Sequence, residues 1–399
     1  MESPERFANL PEYAFPRLRA LIDRFPPGPP GSNEEPVAMS IGEPRHAPPP
    51  FLAEALARNV RLYGKYPPNE GHPDLLSACA DWVKLRFGAA VDPEREVFPL
   101  NGTREGLFAA CVALSPERKN GGRPLVLVPN PFYQCYAVAA LTSGADPVYL
   151  NATPETGNLP DFAALPKEML DRTTVAYLCS PANPQGAVAD RAYWVKLLRL
   201  AEAHDFRVFA DECYSEIYRD APPISALEAL AESGADPERL MIFHSLSKRS
   251  NLPGLRSGFA AGGPKSIAAM RRLRAYAGAP LPLPAQLAAA EIWRDEAHVE
   301  ANRALYREKY ALADRVLEGV PGYAPPEAGF FLWLDMEDGE AAALRLWKEH
   351  GVRALPGAYL SRPGLDGVDP GKRFLRVALV DEPARIERGL RAIRSVMEG

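Results

Sequence analysis

Seven short apolar runs recur in the middle of this chain, at 96–100, 124–128, 147–150, 174–178, 207–210, 240–243 and 257–261, and helical patterns such as 192–204 separate most of them. Runs of four or five residues bounded by Gly and Pro are strand-sized rather than helix-sized. Strands that alternate with helices are joined most simply by crossovers, which gives a mainly parallel sheet covered on both faces. The pattern changes after Pro284. A long helical stretch is expected from about 285 to 318, then an apolar run at 329–334, a helix near 341–350, a run at 374–379 and a last helix from about Pro383. The expected fold class is α/β: a large domain with a mainly parallel seven-stranded sheet flanked by helices, plus a smaller α+β domain. The expected divisions are 1–48 (an N-terminal arm that joins the small domain), 49–284 and 285–399. The Pro/Gly-dense stretch 25–31 is expected to be an irregular loop after a short N-terminal helix.

Composition narrows the function classes. The 399 residues are 47% hydrophobic and 24% charged, with a net charge of -5 and no basic stripe, so nucleic acid is not an expected partner. No run approaches the ~20 apolar residues of a membrane span. The start, Met1-Glu2-Ser3-Pro4-Glu5-Arg6, has no apolar signal region. Cys79, Cys111, Cys135, Cys179 and Cys213 stand far apart without a CxxC pair, which fits reduced thiols and a cytoplasmic location. The histidines show no metal-ligand spacing, and no metal is expected.

In parallel α/β sheets, ligands bind at the carboxyl ends of strands, and polar residues fall at those ends here. Gly102-Thr103-Arg104 follows the first run and opens a helix, whose N-terminus suits a phosphate. Asn183 lies in Ser180-Pro181-Ala182-Asn183-Pro184-Gln185-Gly186, after the 174–178 run. Asp211 follows 207–210. Lys248 follows 240–243 in Ser245-Leu246-Ser247-Lys248-Arg249-Ser250-Asn251-Leu252-Pro253-Gly254-Leu255-Arg256. A lysine among hydroxyls and cations has no sequence-local carboxylate, and such a setting lowers its pKa and makes the amine nucleophilic. Each residue also has a plainer reading: Asn-Pro as a turn, Asp as a cap, Tyr133 as a packing aromatic, Lys248 as a solvated strand end. Arg376, inside the apolar run 374–379, is harder to read plainly, because a buried guanidinium needs an anion.

In this order and over essentially the whole chain, Asn183-Pro184-x-Gly186, Asp211-x-x-Tyr214, Ser245-x-Ser247-Lys248 with Arg256, and Arg376 resemble the fold-type I pyridoxal-phosphate aminotransferases of classes I and II. The resemblance implies pyridoxal 5'-phosphate as cofactor, held through a Schiff base on Lys248. It pairs Asp211 with the pyridine nitrogen, and Asn183 and Tyr214 with the phenolic oxygen. Gly102, Thr103, Arg104, Ser245 and Arg256 would bind the phosphate, and Tyr133 would stack on the ring. Arg376 would take the substrate α-carboxylate, with the Gly42 backbone and Asn183 nearby. Tyr66 would reach the phosphate of a partner subunit, which implies a homodimer with active sites at the interface.

A narrower resemblance lies in Ser40-Ile41-Gly42-Glu43-Pro44-Arg45-His46-Ala47-Pro48, Asn101-Gly102-Thr103-Arg104-Glu105, Pro129-Asn130-Pro131-Phe132-Tyr133-Gln134 and Tyr13-Ala14-Phe15-Pro16-x-Leu18. These resemble the proteobacterial succinyldiaminopimelate aminotransferases, which implies glutamate and N-succinyl-2-amino-6-oxopimelate as substrates, in lysine and diaminopimelate synthesis. Arg45 and His46, where many relatives carry an acidic residue, could meet a carboxylate-rich substrate or pair within the protein. The alternatives are an aspartate, aromatic or broad-range aminotransferase, a pyridoxal-phosphate lyase on the same fold, and a non-catalytic ligand sensor.

Overall fold

The computed structural model describes residues 4–8, 10–29 and 34–399, and for Glu5 and Arg6 the backbone alone. The first three residues of the N-terminal stretch, and Pro30 and Gly31 of the Pro/Gly-dense loop, lie outside these. In chain order the strands are β1 (Val37–Ala38), β2 (Val97–Leu100), β3 (Leu125–Asn130), β4 (Asp146–Asn151), β5 (Thr173–Cys179), β6 (Arg207–Asp211), β7 (Leu240–Ser245), β8 (Gly258–Gly262), β9 (Phe331–Asp335), β10 (Val352–Arg353), β11 (Leu355–Pro356) and β12 (Phe374–Ala378). All seven runs of the middle region are strands of one sheet, in the order β2-β8-β7-β6-β5-β3-β4. The pairs from β7 through β4 are parallel, while β8 runs antiparallel to both its neighbours.

The sheet is buried on both faces, and its residues alternate between two cores, as the period of a strand requires. Leu125, Leu127, Ala176, Leu178, Leu240 and Ile242 face a core that includes Trp82, Trp194 and Trp293. Val126, Val128, Val175, Tyr177, Met241 and Phe243 face the opposite one, with Leu107, Tyr136 and Ile267.

The remaining strands form two small sheets. β9 and β11 flank β12 in an antiparallel sheet, and β1 pairs in parallel with β10. The N-terminal arm therefore joins the C-terminal part through backbone hydrogen bonds. Val37 and Met39 share a core with Leu332, Leu375 and Val377.

One expectation needs correcting. The stretch 285–318 is not one helix but two, Leu283–Arg294 and Ala297–Leu317. Asp295 supplies the reason: its Oδ1 accepts from the His298 backbone N–H at 3.0 Å and starts the second helix. The first helix buries Ala289, Ala290, Ile292 and Trp293 in the core of the large sheet. β1, β10 and β11 are two-residue strands with no periodic signal for a sequence to show.

Candidate active site

A cavity of about 410 Å3 opens where the carboxyl ends of β5, β6 and β7 meet the small sheets. It is lined among others by Gly42, Thr103, Arg104, Tyr133, Asn183, Asp211, Tyr214, Ser245, Lys248, Arg256 and Arg376. Residues dispersed over more than three hundred positions converge because successive parallel strands deliver their C-terminal ends to one edge.

Lys248 sits in the single helical turn Leu246–Arg249 that follows β7. Ser245 caps this turn, its Oγ accepting from the Ser247 N–H at 3.1 Å. Lys248 Nζ donates to the Gly42 carbonyl at 2.5 Å and lies 5.1 Å from the centre of the Phe330 ring. Burial, with Arg376 and Arg256 adding repulsion, lowers its pKa to about 8. The amine is thus held near the pH at which neutral and charged forms coexist.

Asp211 ends β6 and is 6% exposed. Its Oδ2 accepts from the Tyr136 hydroxyl at 2.7 Å, and its Oδ1 from the Cys213 N–H at 3.4 Å. Burial raises its pKa against those two donors. A carboxylate in this condition lacks a cation.

Gly102, at the end of β2, has φ 80° and precedes the helix Thr103–Leu114. A Cβ there would stand 2.2 Å from Arg256 Nη2, so only glycine allows this approach. Arg256, itself at φ 57°, donates to the carbonyls of Pro253 (2.9 Å) and Asn101 (3.1 Å). A helix N-terminus, a serine hydroxyl and a guanidinium thus face the same space. Arg104 Nε donates to the Tyr133 hydroxyl at 2.5 Å, which fixes the tyrosine ring at the cavity wall.

Arg376 points from β12 into the cavity and is 5% exposed. It donates to Asn183 Oδ1 (3.1 Å) and to the Ser40 carbonyl (2.9 Å), and its guanidinium lies 4.2 Å above the Phe331 ring. Its Nε has no partner, and no ion pair to it occurs among the described residues. Burial lowers its pKa to about 10. An uncompensated buried guanidinium calls for an anion.

Tyr66, Arg45 and His46, singled out in the sequence, are not among those that line the cavity. Tyr66 is fully exposed. Arg45 turns its Nη1 to Asp381 Oδ2 at 2.6 Å, and Asp381, 7% exposed at its side chain, is shared between Arg45 and Arg385. Of the two readings open for Arg45, the structure shows the pairing within the protein. Conversely, Tyr136, Phe331 and Ser40 belong to the site and were not singled out. Tyr136 stands three residues after Tyr133 in the helix Gln134–Thr142, a spacing that places it beside its neighbour but reads as core.

The profile of the aminotransferase class I and II family matches residues 34–393. The chain belongs to this family. The aminotransferase is 30% identical to the LL-diaminopimelate aminotransferase of Dehalococcoides mccartyi over 98% of this chain and 97% of that protein. It is 32% identical to the 4-dedimethylamino-4-oxo-anhydrotetracycline transaminase OxyQ of Streptomyces rimosus, over 95% and 97%. Among solved structures, an aminotransferase from Neisseria meningitidis superposes with a TM-score of 0.92 at 36% identity, covering 98% of this chain and 99% of that one. The aminotransferase AspB of Helicobacter pylori superposes with a TM-score of 0.88 at 32% identity, covering 97% and 98%.

The protein is therefore a transaminase, and its cofactor is pyridoxal 5'-phosphate. The residues present fit that cofactor: an amine of lowered pKa, a buried carboxylate short of a cation, and a glycine whose missing Cβ leaves a cradle beside Arg256. Amino acids and 2-oxo acids are its substrates. No helix among the described residues is long and apolar enough to cross a membrane.

Proposed function

We propose that this aminotransferase moves an amino group between glutamate and a carboxylate-rich 2-oxo acid of the diaminopimelate type, N-succinyl-2-amino-6-oxopimelate. The observation that carries the reading is Arg376, a buried guanidinium without a carboxylate, in the same cavity as the Lys248 amine. An arginine fork binds the substrate α-carboxylate bidentately and orients the adjacent Cα–H bond. The relatives named LL-diaminopimelate aminotransferases support the pimelate backbone. The succinyl group rests on the loop resemblance alone, since Arg45 is engaged by Asp381.

In this reading Lys248 anchors the cofactor covalently, and Asp211, steadied by Tyr136, pairs with its ring nitrogen. Asn183 and Tyr214 hydrogen-bond its phenolic oxygen, and Tyr133 packs on the ring. Gly102, Thr103, Arg104, Ser245 and Arg256 hold the phosphate. When bound, the cofactor supplies a protonated ring that accepts the electron pair left by the broken Cα–H bond. Freed by the substrate amine, the Lys248 amine would be the group that takes the proton from the substrate Cα and later gives it up.

The same reading includes a homodimer in which Tyr66 serves the partner's phosphate. Fully exposed Tyr66, Tyr276 at 91% and Tyr63 at 60% support a covered surface. Free cysteines at five positions support a cytoplasmic location. The divisions 1–48, 49–284 and 285–399 remain part of the proposal, with the helix Leu283–Arg294 packing on the larger unit.

The test is an amino-acceptor panel with glutamate as donor. The succinylated amino-oxopimelate should give the highest kcat/KM. A higher value for oxaloacetate, pyruvate or an aromatic oxo acid would refute the substrate assignment and leave the transaminase chemistry standing. Sedimentation equilibrium tests the dimer, and a monomer at working concentration would sink that part.

A further inference from the structure

The loop 40–46 carries two carbonyls that face the site: Ser40 accepts from Arg376 and Gly42 from Lys248. Its far end is held by side chains. Arg45 pairs with Asp381, and His46 is wedged between Asn302 and Lys309 of the helix Ala297–Leu317, its ring 4.7 Å from that of Tyr306.

The hydrogens of this cluster can be assigned from chemistry. Lys309 Nζ lies 2.6 Å from His46 Nε2, and a protonated lysine only donates, so Nε2 is the acceptor. The proton of the neutral imidazole is then on Nδ1, 2.7 Å from Asn302 Oδ1. The orientation of the Asn302 amide agrees, because its Nδ2 faces the Arg249 carbonyl, which can only accept. Asn302 Oδ1 also receives Asn251 Nδ2 at 3.0 Å. A directed chain thus runs from Lys309 through His46 and Asn302 to the Arg249 carbonyl, and Asn251 donates into it at Asn302; Arg249 and Asn251 belong to the segment that follows Lys248.

We propose that His46 is a positioning residue: its neutral imidazole clips the loop that carries the Gly42 carbonyl to the turn that carries Lys248, and protonation of the imidazole opens the clip. A second proton on His46 would place Nε2–H against the Lys309 ammonium, so the contact cannot survive it. The charged and titratable groups around the ring are Lys309 and Tyr306 from the helix Ala297–Leu317, and Glu382 from the segment before the last helix. Asp381, Arg45 and Glu308 surround the Lys309 ammonium. Burial and Lys309 lower the His46 pKa below 6.5, against Asn302 and Glu382. Replacing Lys309 by a neutral residue removes one of the two influences that keep the imidazole neutral and lets it charge at higher pH.

The inference depends on the role proposed for Lys248 and not on the identity of the acceptor. It is tested on holoenzyme by two measurements. In protein labelled with 15N-histidine, His46 should show the neutral Nδ1–H tautomer with a midpoint below that of an ordinary histidine, and Lys309→Met should raise the midpoint. The acid limb of kcat should weaken in the same variant, because a protonated His46 then meets no ammonium. His46→Ala should lower kcat roughly tenfold with cofactor affinity kept, as for a modest displacement of a catalytic group. His46→Gln, which can still accept from Lys309 and donate to Asn302, should recover most of that loss and hold its activity further into acid. An unmoved midpoint and an undiminished acid limb in Lys309→Met, or wild-type kcat in His46→Ala, would overturn the proposal. Loss of the cofactor-linked absorbance in Lys248→Ala separately checks the premise.

Discussion

Arg249 and Arg376 are both buried, 2% and 5% exposed, and their surroundings differ. Arg249, next to Lys248 in sequence, donates to the carbonyls of Ile292, Trp293 and Asp295, pairs with the Glu296 carboxylate and lies against Trp82 and Trp293. It closes the end of the helix Leu283–Arg294 and fixes the base of the Lys248 turn. Arg376 has one carbonyl, one amide oxygen and an aromatic face, and no carboxylate. The adjacent acids repeat the contrast. Glu212 receives Ser225 Oγ and the Ala226 N–H and stands 3.0 Å from His244 Nε2, while Asp211 faces the cavity with donors but no cation. On the packed side, the charge of Arg249 is neutralised by the protein itself. On the cavity side charge is left for a ligand to neutralise, and that incompleteness marks the site more clearly than burial does.

The comparison can be broken at several points. The largest effect belongs to Lys248→Ala, which should cut turnover on the order of 10^4-fold or more and abolish the cofactor-linked absorbance, since it removes both anchor and proton carrier. Substantial turnover in that variant would place the chemistry elsewhere. Next is the amine itself. With a pKa of about 8 instead of 10.5, the neutral fraction at pH 7 is about 300-fold larger than for an ordinary lysine. In cofactor-free enzyme, labelling of Lys248 by an amine reagent should rise with pH to a midpoint near 8, and an ordinary midpoint would refute the electrostatic account of the cavity.

The arginines separate function from stability. Arg376→Met should lower kcat/KM for every amino acid by on the order of 10^2-fold, within the 2–5 kcal/mol of a lost buried charge contact, without lowering the thermal midpoint of cofactor-free protein. Arg249→Met should instead destabilise the fold by about 3 kcal/mol, by leaving the buried carbonyls of Ile292 and Trp293 without donors. If Arg376→Met proves the more destabilised, the distinction fails. The smallest effect is expected for Tyr136→Phe, roughly tenfold in kcat, the size of a hydrogen bond to a charged group. No change would mean that Asp211 is positioned by its backbone contacts alone.

Much of this was legible in the sequence. The seven runs became the seven strands because short apolar segments between Gly and Pro leave few alternatives. Lys248, Asp211 and Asn183 could be placed at strand ends, and the topology then carried them to one edge. What the sequence hid are features set by tertiary contact. The break at Asp295 is capped from both sides, by Asp295 itself on the His298 N–H and by Arg249, distant in the chain, on the carbonyls of Ile292, Trp293 and Asp295. Arg45 next to a Gly-Glu-Pro motif looks free until Asp381 arrives from the other end of the chain, and Tyr136 looks like core until Asp211 is set beside it.

The pairing of β1 with β10 has a consequence for how the protein comes into being. The large sheet is completed by residues 97–262, well before β9, β10 and β12 have been synthesised. The wall that bears Arg376 and the loop 40–46 can take its final form only when those strands reach the waiting N-terminal segment. During synthesis, then, the Lys248 turn is laid down before the wall that buries it, and the amine gains its lowered pKa only when Arg376 and that wall arrive. Vectorial folding makes the substrate side of the cavity the last part to assemble, so the protein becomes reactive at the moment it becomes complete.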